Sequence, residues 1–532
     1  MMVTDIAALD ALYPLPPAEL SRQWVMSKQA DILPPEWTHL SKNGWHLAIH
    51  PDANVCHLQS ESGDNIGWVI EPLAYLDSRV NVAPRNTTIT LPVGSEFTEA
   101  EIDRALYGRD GDGLTNGNGF VGSWTAILFS KEHIQRIYLG VVHSIVYSVE
   151  KQAIATSHNL IPGLQRDTEL SRAFDPMATA SYYTFGLTAF IGLKRLLPNH
   201  YLDLPTLQEN RHWPKIGFNN RISGSNAAEV IVEHARKIVD VLVQQYPKIS
   251  LPLSAGRDSR AVLACLRPFV NDERISLMPF TSSRPNIGSE TDVQIAVQLA
   301  RIAHLPQHKV LVVVPRPTDV ADFQRAFVKI GEAKCTPNLG APAREKVRPP
   351  VEVIDFPGMA GETARAFYWG KKKPSPASLE PAALARCTHS PTTDHVLRAA
   401  AEWLERIPAS VRNNPADVLD LAYIEQRMGC WEAPVRYLFP GPGRSNLSLM
   451  ATALSVETML RLPEDYRAAG HLQRDMVAYG WPELLELPFN QSMGLLRVRH
   501  SSQKLRRMPR KLAGAVFRRL FPARRVTKPK GS

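Results

Sequence analysis

The sequence predicts an α/β protein with a sheet-rich N-terminal domain and a parallel-sheet C-terminal domain that carries helical insertions. Three observations predict it. Short apolar runs broken by Gly, Asn and Asp fill the chain to about residue 215, and strand-like and helix-like runs alternate from Ser225 onward. The first strand of that second region, ISLPL, stops at a small polar loop, SAGRDS, that leads into a helix. At 532 residues the chain exceeds one ordinary core, so two to four domains are expected. The boundaries read as 1–215, 225–496 and a tail, 497–532.

In the first region the strand candidates are 45–49, 66–70, 123–129, 134–142 and 145–149, separated by turn-forming residues. The stretch YGRDGDGLTNGNGFVG has Asp-Gly repeats but lacks the Glu that closes a calcium loop, so it reads as turn chemistry. Residues 190–213 read as the last strands of the domain and a linker. In the second region NAAEVIVEHARKIVDVLVQQY has helical periodicity. Strands follow at ISLPL, RISLMPFTSS, KVLVVV and VEVIDF, and a helix at SETDVQIAVQLARIAHL with Ser289 as its N-cap. This alternation implies parallel strands joined by right-handed crossovers. Pro252 predicts interrupted pairing at the end of the first strand. Residues 374–393 read as a Pro/Ser-rich surface loop and 394–496 as mainly helical.

Charge and cysteine content exclude several classes. Between Arg497 and Ser532 there are 13 Lys+Arg and no Asp or Glu, so the rest of the chain carries −4 against a total of +9. The basic character belongs to the tail, and the body gives no reason to expect nucleic-acid binding. That tail reads either as a basic amphipathic helix for an anionic surface, membrane or nucleic acid, or as a soluble extension. Five scattered cysteines form neither a metal clip nor a disulfide framework and read as buried small hydrophobes. No run is long and apolar enough for a transmembrane span and no leader pattern opens the chain, so a soluble cytoplasmic protein is expected.

Ligands of an open parallel sheet sit beyond the carboxyl ends of its strands. Three polar stretches fall there: SAGRDS, FTSSR and GMAGE. A Gly-containing loop at a helix N-terminus suits a phosphate, and it is not a Walker A loop because no Lys-Ser/Thr follows. A carboxylate within a phosphate loop makes sense with a bridging cation, so Asp258 points to Mg²⁺.

SAGRDS resembles the SGGxDS pyrophosphate loop of ATP pyrophosphatases, and the wider pattern resembles the asparagine synthetase family within them. SETDVQIAVQLARIAHLPQHKVLVV is similar to the family's acid-bearing helix and following strand. VIDFPGMAGETARAFYWG is similar to its second Gly/acid motif, and RLLPNHYLDL to the end of its N-terminal domain. The resemblance covers about residues 120 to 520. It implies a degenerate Ntn-hydrolase-like, glutaminase-like N-terminal domain and a PP-loop ATPase domain that uses ATP and Mg²⁺. The implied reaction activates a substrate carboxylate as acyl-adenylate with loss of pyrophosphate, and an amine then attacks to form an amide. Carried over by position, Ser254, Ala255, Gly256, Arg257, Asp258 and Ser259 would cradle the pyrophosphate. Thr281 and Ser282 would approach the adenine, Asp258 and Glu362 would hold the metal, and Lys504 is the nearest candidate for the family's C-terminal catalytic lysine.

The sequence also departs from the family. Ala255 replaces a glycine. Met359 stands where asparagine synthetase has a glutamate, which puts aspartate as substrate in doubt. Glutamine-hydrolysing members begin with a cysteine after Met; this chain reads Met-Met-Val and its first cysteine is Cys56, so glutamine-independent chemistry is expected, as in lasso-peptide cyclases and β-lactam synthetases. Peptide cyclisation and modification of a surface polysaccharide or natural product both fit.

Several side chains read two ways. Arg257, Arg260 and Arg365 read as phosphate partners or surface charges; Glu290 and Asp292 as site acids or as favourable charges in a helix's first turn. His304 and His308 read as strand-edge residues. Arg427, Trp431 and Arg436 wall an acyl pocket or belong to a helical core. Two competing functions stay open: a tRNA-modifying PP-loop ATPase and a non-catalytic binding module that has kept the fold.

Overall fold

The computed structural model describes residues 6–109, 115–130, 134–174, 182–284, 286–305, 307–312, 320–332, 352–370, 372–438 and 444–507. Among the described residues the chain to Arg211 builds two large antiparallel-dominated sheets and a small antiparallel one of 81–82, 74–76 and 119–121. One large sheet runs, by residue range, 193–196, 145–148, 153–155, 24–27, 45–49, 38–42; the other 208–211, 200–203, 135–139, 125–129, 65–70, 55–59, 88–90. Alternate residues of both face each other, so Trp24, Trp45, Leu47, Trp68, Ile127, Phe129 and Ile154 share one apolar core. The expected strands at 45–49, 66–70, 123–129, 134–142 and 145–149 appear as Trp45–Ile49, Asn65–Ile70, Thr125–Phe129, Gln135–Leu139 and Ile145–Ser148. Part of the Asp-Gly turn stretch, 110–114, lies outside the described residues.

The second region holds a five-stranded sheet in which every pairing is parallel. Its spatial order is Lys309–Val312, Ser276–Ser283, Lys248–Pro252, Val353–Asp355, Arg444–Asn446. Counted along the chain this is 3-2-1-4-5, and the order reverses between Lys248–Pro252 and Val353–Asp355. That switch point leaves a crevice at the strands' carboxyl ends. Pro252 behaves as expected on one side only. Pairing with Val353–Asp355 ends at Ser250, while Pro252 stays in register with Phe280 and Leu253 N–H donates to the Phe280 carbonyl (2.8 Å).

Two local expectations need correction. The helix assigned to 289–305 is Ile287–Ile302, capped by Asn286, whose side chain accepts from Ser289 N–H. Ser289 instead ties down the preceding strand, donating to the Ser282 carbonyl and accepting from Arg284 N–H. The loop expected over 374–393 contains a 3₁₀ turn, Pro376–Leu379, and a helix, Pro381–Cys387, both opened by a proline at their first positions. Within the mainly helical 394–496, Tyr423–Glu432 is a π-helix. Cys56, Cys265 and Cys430 are buried and Cys387 half-buried, with burial raising each thiol's pKa. Among the described residues no helix is long and apolar enough to cross a membrane.

Candidate active site

Two loops meet at the switch point. The first leaves Lys248–Pro252 and turns at Ser254, whose hydroxyl accepts from Gly256 N–H (3.0 Å) and bonds the Ser259 hydroxyl (2.9 Å). Gly256 caps the helix Arg257–Cys265 with no side chain, so the helix's first N–H groups point out of the sheet edge. Ala255 N–H donates to Asp292 (2.9 Å) and its carbonyl accepts from Asn490 N–H (2.9 Å). Asp292 is therefore a loop-positioning residue, and because the helix starts at Ile287 it lies beyond the first turn, where only Glu290 falls.

The second loop follows Val353–Asp355, and its glycines explain how close it comes. A Cβ at Gly358 would lie 2.8 Å from the backbone of Asp258 and Ser259, and one at Gly361 2.4 Å from Asp258 Oδ1. Ala360 adopts φ 64°, which swings Glu362 toward the first loop. The Ser448 hydroxyl donates to the Met359 carbonyl (2.5 Å), Gln473 to the Gly361 carbonyl (2.7 Å) and the Trp369 indole to Asp420 (2.9 Å), so the segment is held from three sides.

Asp258 and Glu362, 104 residues apart, converge on one nitrogen. Arg365 Nη2 lies 2.7 Å from Asp258 Oδ2 and 3.2 Å from Glu362 Oε1. Tyr423 donates its hydroxyl to the other Glu362 oxygen (2.7 Å). Asp258 Oδ1 is buried without a well-formed hydrogen bond, with Gln473 as a neighbouring donor. Burial raises Asp258 to a pKa of about 6; Arg365 acts against that rise, Glu362 adds to it, and Gln473 nearby lowers it somewhat. Arg365 is the one cation that the two carboxylates share among the described residues.

The remaining candidates divide. Arg257 donates to the Gly470 carbonyl (2.7 Å) beside the loop. Arg260 is fully buried: its guanidinium donates to the carbonyls of Leu484, Leu487 and Pro488 and stacks on Phe489, so it anchors the 484–490 segment and is not a phosphate partner. Thr281 is 2% exposed, its hydroxyl engaged by the Leu253 carbonyl and His308, so its side chain fixes two strand ends together. Ser282 lies on the same strand end, half-buried. Glu290 is tied by Arg499 and His500. Arg436 bonds Glu71 and the Ser123 carbonyl at the seam with the first region, and lines a cavity there with Met359 and Ser448. Lys504 belongs to the helix Gly494–Arg507, but its side chain, like the tail from Met508, lies outside the described residues. A cleft of about 640 Å³ opens beside Ala255, between the Ile287–Ile302 and Gly494–Arg507 helices, with Asn490 and His500 on its wall.

Gln473, Tyr423 and Asn490 were not expected as site residues. Each reaches the site across a long sequence separation and has no local signature.

No family model and no curated protein matches the chain. Among solved structures, the U34-tRNA thiolase NcsA from Methanococcus maripaludis, with its 4Fe–4S cluster, aligns at a TM-score of 0.19 and 12% identity. The alignment covers 38% of this chain and 79% of that one. A score that low does not establish a common fold, and the site stands on its own geometry.

Proposed function

We propose that this protein is an ATP-dependent carbon–nitrogen ligase of asparagine synthetase type, in which residues 225–496 form the adenylating domain and residues 1–215 a degenerate glutaminase-like scaffold. The observation that carries the reading is the convergence of Asp258 and Glu362 on Arg365 Nη2 at the N-terminus of an uncapped helix, at the sheet's switch point. Two carboxylates suit Mg²⁺, which otherwise takes phosphate oxygens and water. The buried Asp258 Oδ1, without a well-formed hydrogen bond, and the raised pKa fit a group whose partner arrives with the nucleotide. Arg365 is the resident counter-cation between the two acids.

In this reading the helix N-terminus and the Ser254 and Ser259 hydroxyls receive the β- and γ-phosphates, and the cleft beside Ala255 receives the nucleoside. Asp258 and Glu362 would hold Mg²⁺, which neutralises charge building on the departing pyrophosphate. Arg365, released from one carboxylate, is free to turn toward phosphate oxygens. The substrate carboxylate enters from the Tyr423 side and takes the adenylyl group as pyrophosphate leaves; the amine then attacks the acyl carbon, displaces AMP and loses a proton to solvent to complete the amide. Cys56 is fully buried with a raised pKa, which suits a scaffold and not a thiol nucleophile. The reading accordingly expects no release of glutamate from glutamine.

The test is MgATP binding by calorimetry, together with carboxylate-dependent ATP–pyrophosphate exchange. Asp258→Asn and Glu362→Gln keep shape and remove charge, so each should fold, bind MgATP more weakly and lose ~10²–10³ in exchange rate. Wild-type affinity and rate in both variants would remove the loops at 254–259 and 358–362 from the chemistry.

A further inference from the structure

The helix Gly494–Arg507 closes the described chain, and its two sides meet different surroundings. The inner side is fastened to the body. His500 is buried, bonding Ser492 through Nδ1 (3.1 Å) and Glu290 through Nε2 (2.8 Å), and Leu496, one turn earlier, is half-buried. The segment leading in is held as well, because the Met493 backbone exchanges two hydrogen bonds with the Gln294 side chain (2.8 and 3.1 Å). The outer side is bare. Leu495 is 88% exposed and Val498, three residues on, 66%. Among the described residues no large apolar side chain is more exposed than Leu495. Arg497 and Arg499, on either side of Val498 in the chain, are exposed too.

A single exposed leucine is ordinary on a protein surface. A repeated apolar pattern in which every charge is positive is not. Arg497-Val498-Arg499 recurs two helical turns later as Lys504-Leu505-Arg506. Beyond Pro509 the sequence KLAGAVFRRLF sets Leu512, Val516 and Leu520 four residues apart, with Phe517, Arg518, Arg519 and Phe521 beside them. No Asp or Glu follows Glu486, and the 25 residues after Arg507 include eight Lys+Arg. The phosphates of a nucleic acid would engage those cations and leave the apolar side chains in water. A bilayer that contains anionic lipid takes both: Leu and Val enter the boundary between headgroups and acyl chains, while Lys and Arg reach back to lipid phosphates. Stable attachment to a bilayer needs two such signals, and this segment has them side by side.

We infer that the outer face of Gly494–Arg507 docks on a membrane surface rich in anionic lipid, and that the basic residues after it extend the contact. The helix lies in the plane of the interface and does not cross it. Its inner face stays on the protein, where Arg497 and Ser501 line the cleft beside Ala255, so docking sets that cleft within about a helix's width of the bilayer. The inference stands on the exposed side chains and the charge of this segment, and is independent of the adenylating reading.

The probes are vesicles of phosphatidylcholine, alone or with an equal part of phosphatidylglycerol, and the readout is co-sedimentation of the full-length protein. Wild type should sediment with the anionic vesicles, stay in solution with the neutral ones, and partition less as salt rises. Leu495→Ser combined with Val498→Ser removes apolar contact and no charge, so partitioning should fall ~10-fold or more. Both side chains are already in water, so the melting temperature should hold. Arg510→Gln, Lys511→Gln, Arg518→Gln and Arg519→Gln together leave the helix untouched and should weaken partitioning ~10²- to 10³-fold. Wild type that ignores the anionic vesicles, partitions equally to both kinds, or loses nothing on the Leu495 and Val498 changes overturns the assignment. So does wild type that captures tRNA or duplex DNA while leaving the vesicles alone, which would give the basic segment to nucleic acid.

Discussion

Asp258 and Glu425 are both carboxylates largely withdrawn from water, one in the loop at the sheet's switch point and one in the π-helix, and their surroundings treat them in opposite ways. Burial raises Asp258 to a pKa of about 6, with the charge of Glu362 adding to the rise, and Arg365, which the two acids share, together with Gln473 does not offset it. Burial works against Glu425 too, but the Arg211 fork, with Asn199 and Trp403, outweighs it and holds the pKa below the ordinary carboxylate range. The seam around Glu425 is complete as it stands. The loop around Asp258 leaves its acid under-compensated, which is the arrangement the proposed ligand site calls for.

The largest effect separating the two regions falls on stability at the seam. Glu425→Gln leaves the buried Arg211 guanidinium without a counter-charge, a change that costs about 3–5 kcal/mol. Chemical denaturation should show that loss, together with increased proteolysis at the join between the two regions. An unchanged midpoint would mean that the π-helix is not braced from the N-terminal side. Next comes Gly361→Ala, which acts on the loops without touching a charge. Its Cβ would meet Asp258 Oδ1 at 2.4 Å, so the carboxylate must move. A displacement near 1 Å typically lowers turnover ~10²-fold, and here the denaturation midpoint should stay close to wild type. Loss of stability without loss of exchange would reverse the contrast drawn between the regions.

The two regions also differ in how far the sequence reveals them. The loop at 254–259 is legible because its signal is local: an apolar run, a small polar turn and a helix start within eighteen residues, at a place where sheet physics puts ligands. Gly358 and Gly361 are legible as a motif, but their purpose, backbone contact with Asp258, depends on a strand order that no window of sequence contains. Gln473 and Asn490 reach the site from the far side of the fold and leave no local trace. The π-helix is the sharpest loss. YIEQRMGCWE reads as ordinary helix, and only tertiary contacts to Ser144, Phe185, Asn199 and Arg211 explain its wider turn. The shift of the N-cap from Ser289 to Asn286 is a smaller case, in which two polar side chains competed for one helix start and the backbone of Arg284 claimed Ser289.

The smallest effect is the most discriminating, because the same acid-to-amide change should have opposite signs in the two places. Asp258 has a folded pKa of about 6 against an unfolded value near 3.8. Between those values the folded protein binds more protons than the unfolded chain, so stability falls as pH rises through the window. Ionised Asp258 thus costs the ligand-free protein at most about 3 kcal/mol at pH 8. Asp258→Asn removes that cost, less whatever Arg365 loses when it keeps Glu362 alone. Its melting temperature should exceed wild type at pH 8 and converge with it below pH 4. Glu425 runs the other way: its folded pKa lies below the unfolded value, so its contribution is present above about pH 4.5 and is lost only as pH falls through the lower folded pKa. Glu425→Gln should therefore melt below wild type at pH 8 and approach it only in acid. Melting curves of the three ligand-free proteins from pH 4 to pH 8 settle both signs. If Asp258→Asn is destabilised at pH 8, the carboxylate is a structural partner of Arg365 and the loop is already complete without a ligand. If it is stabilised, addition of MgATP should reverse the order, because the nucleotide and its metal stabilise only the chain that still has the acid to hold them.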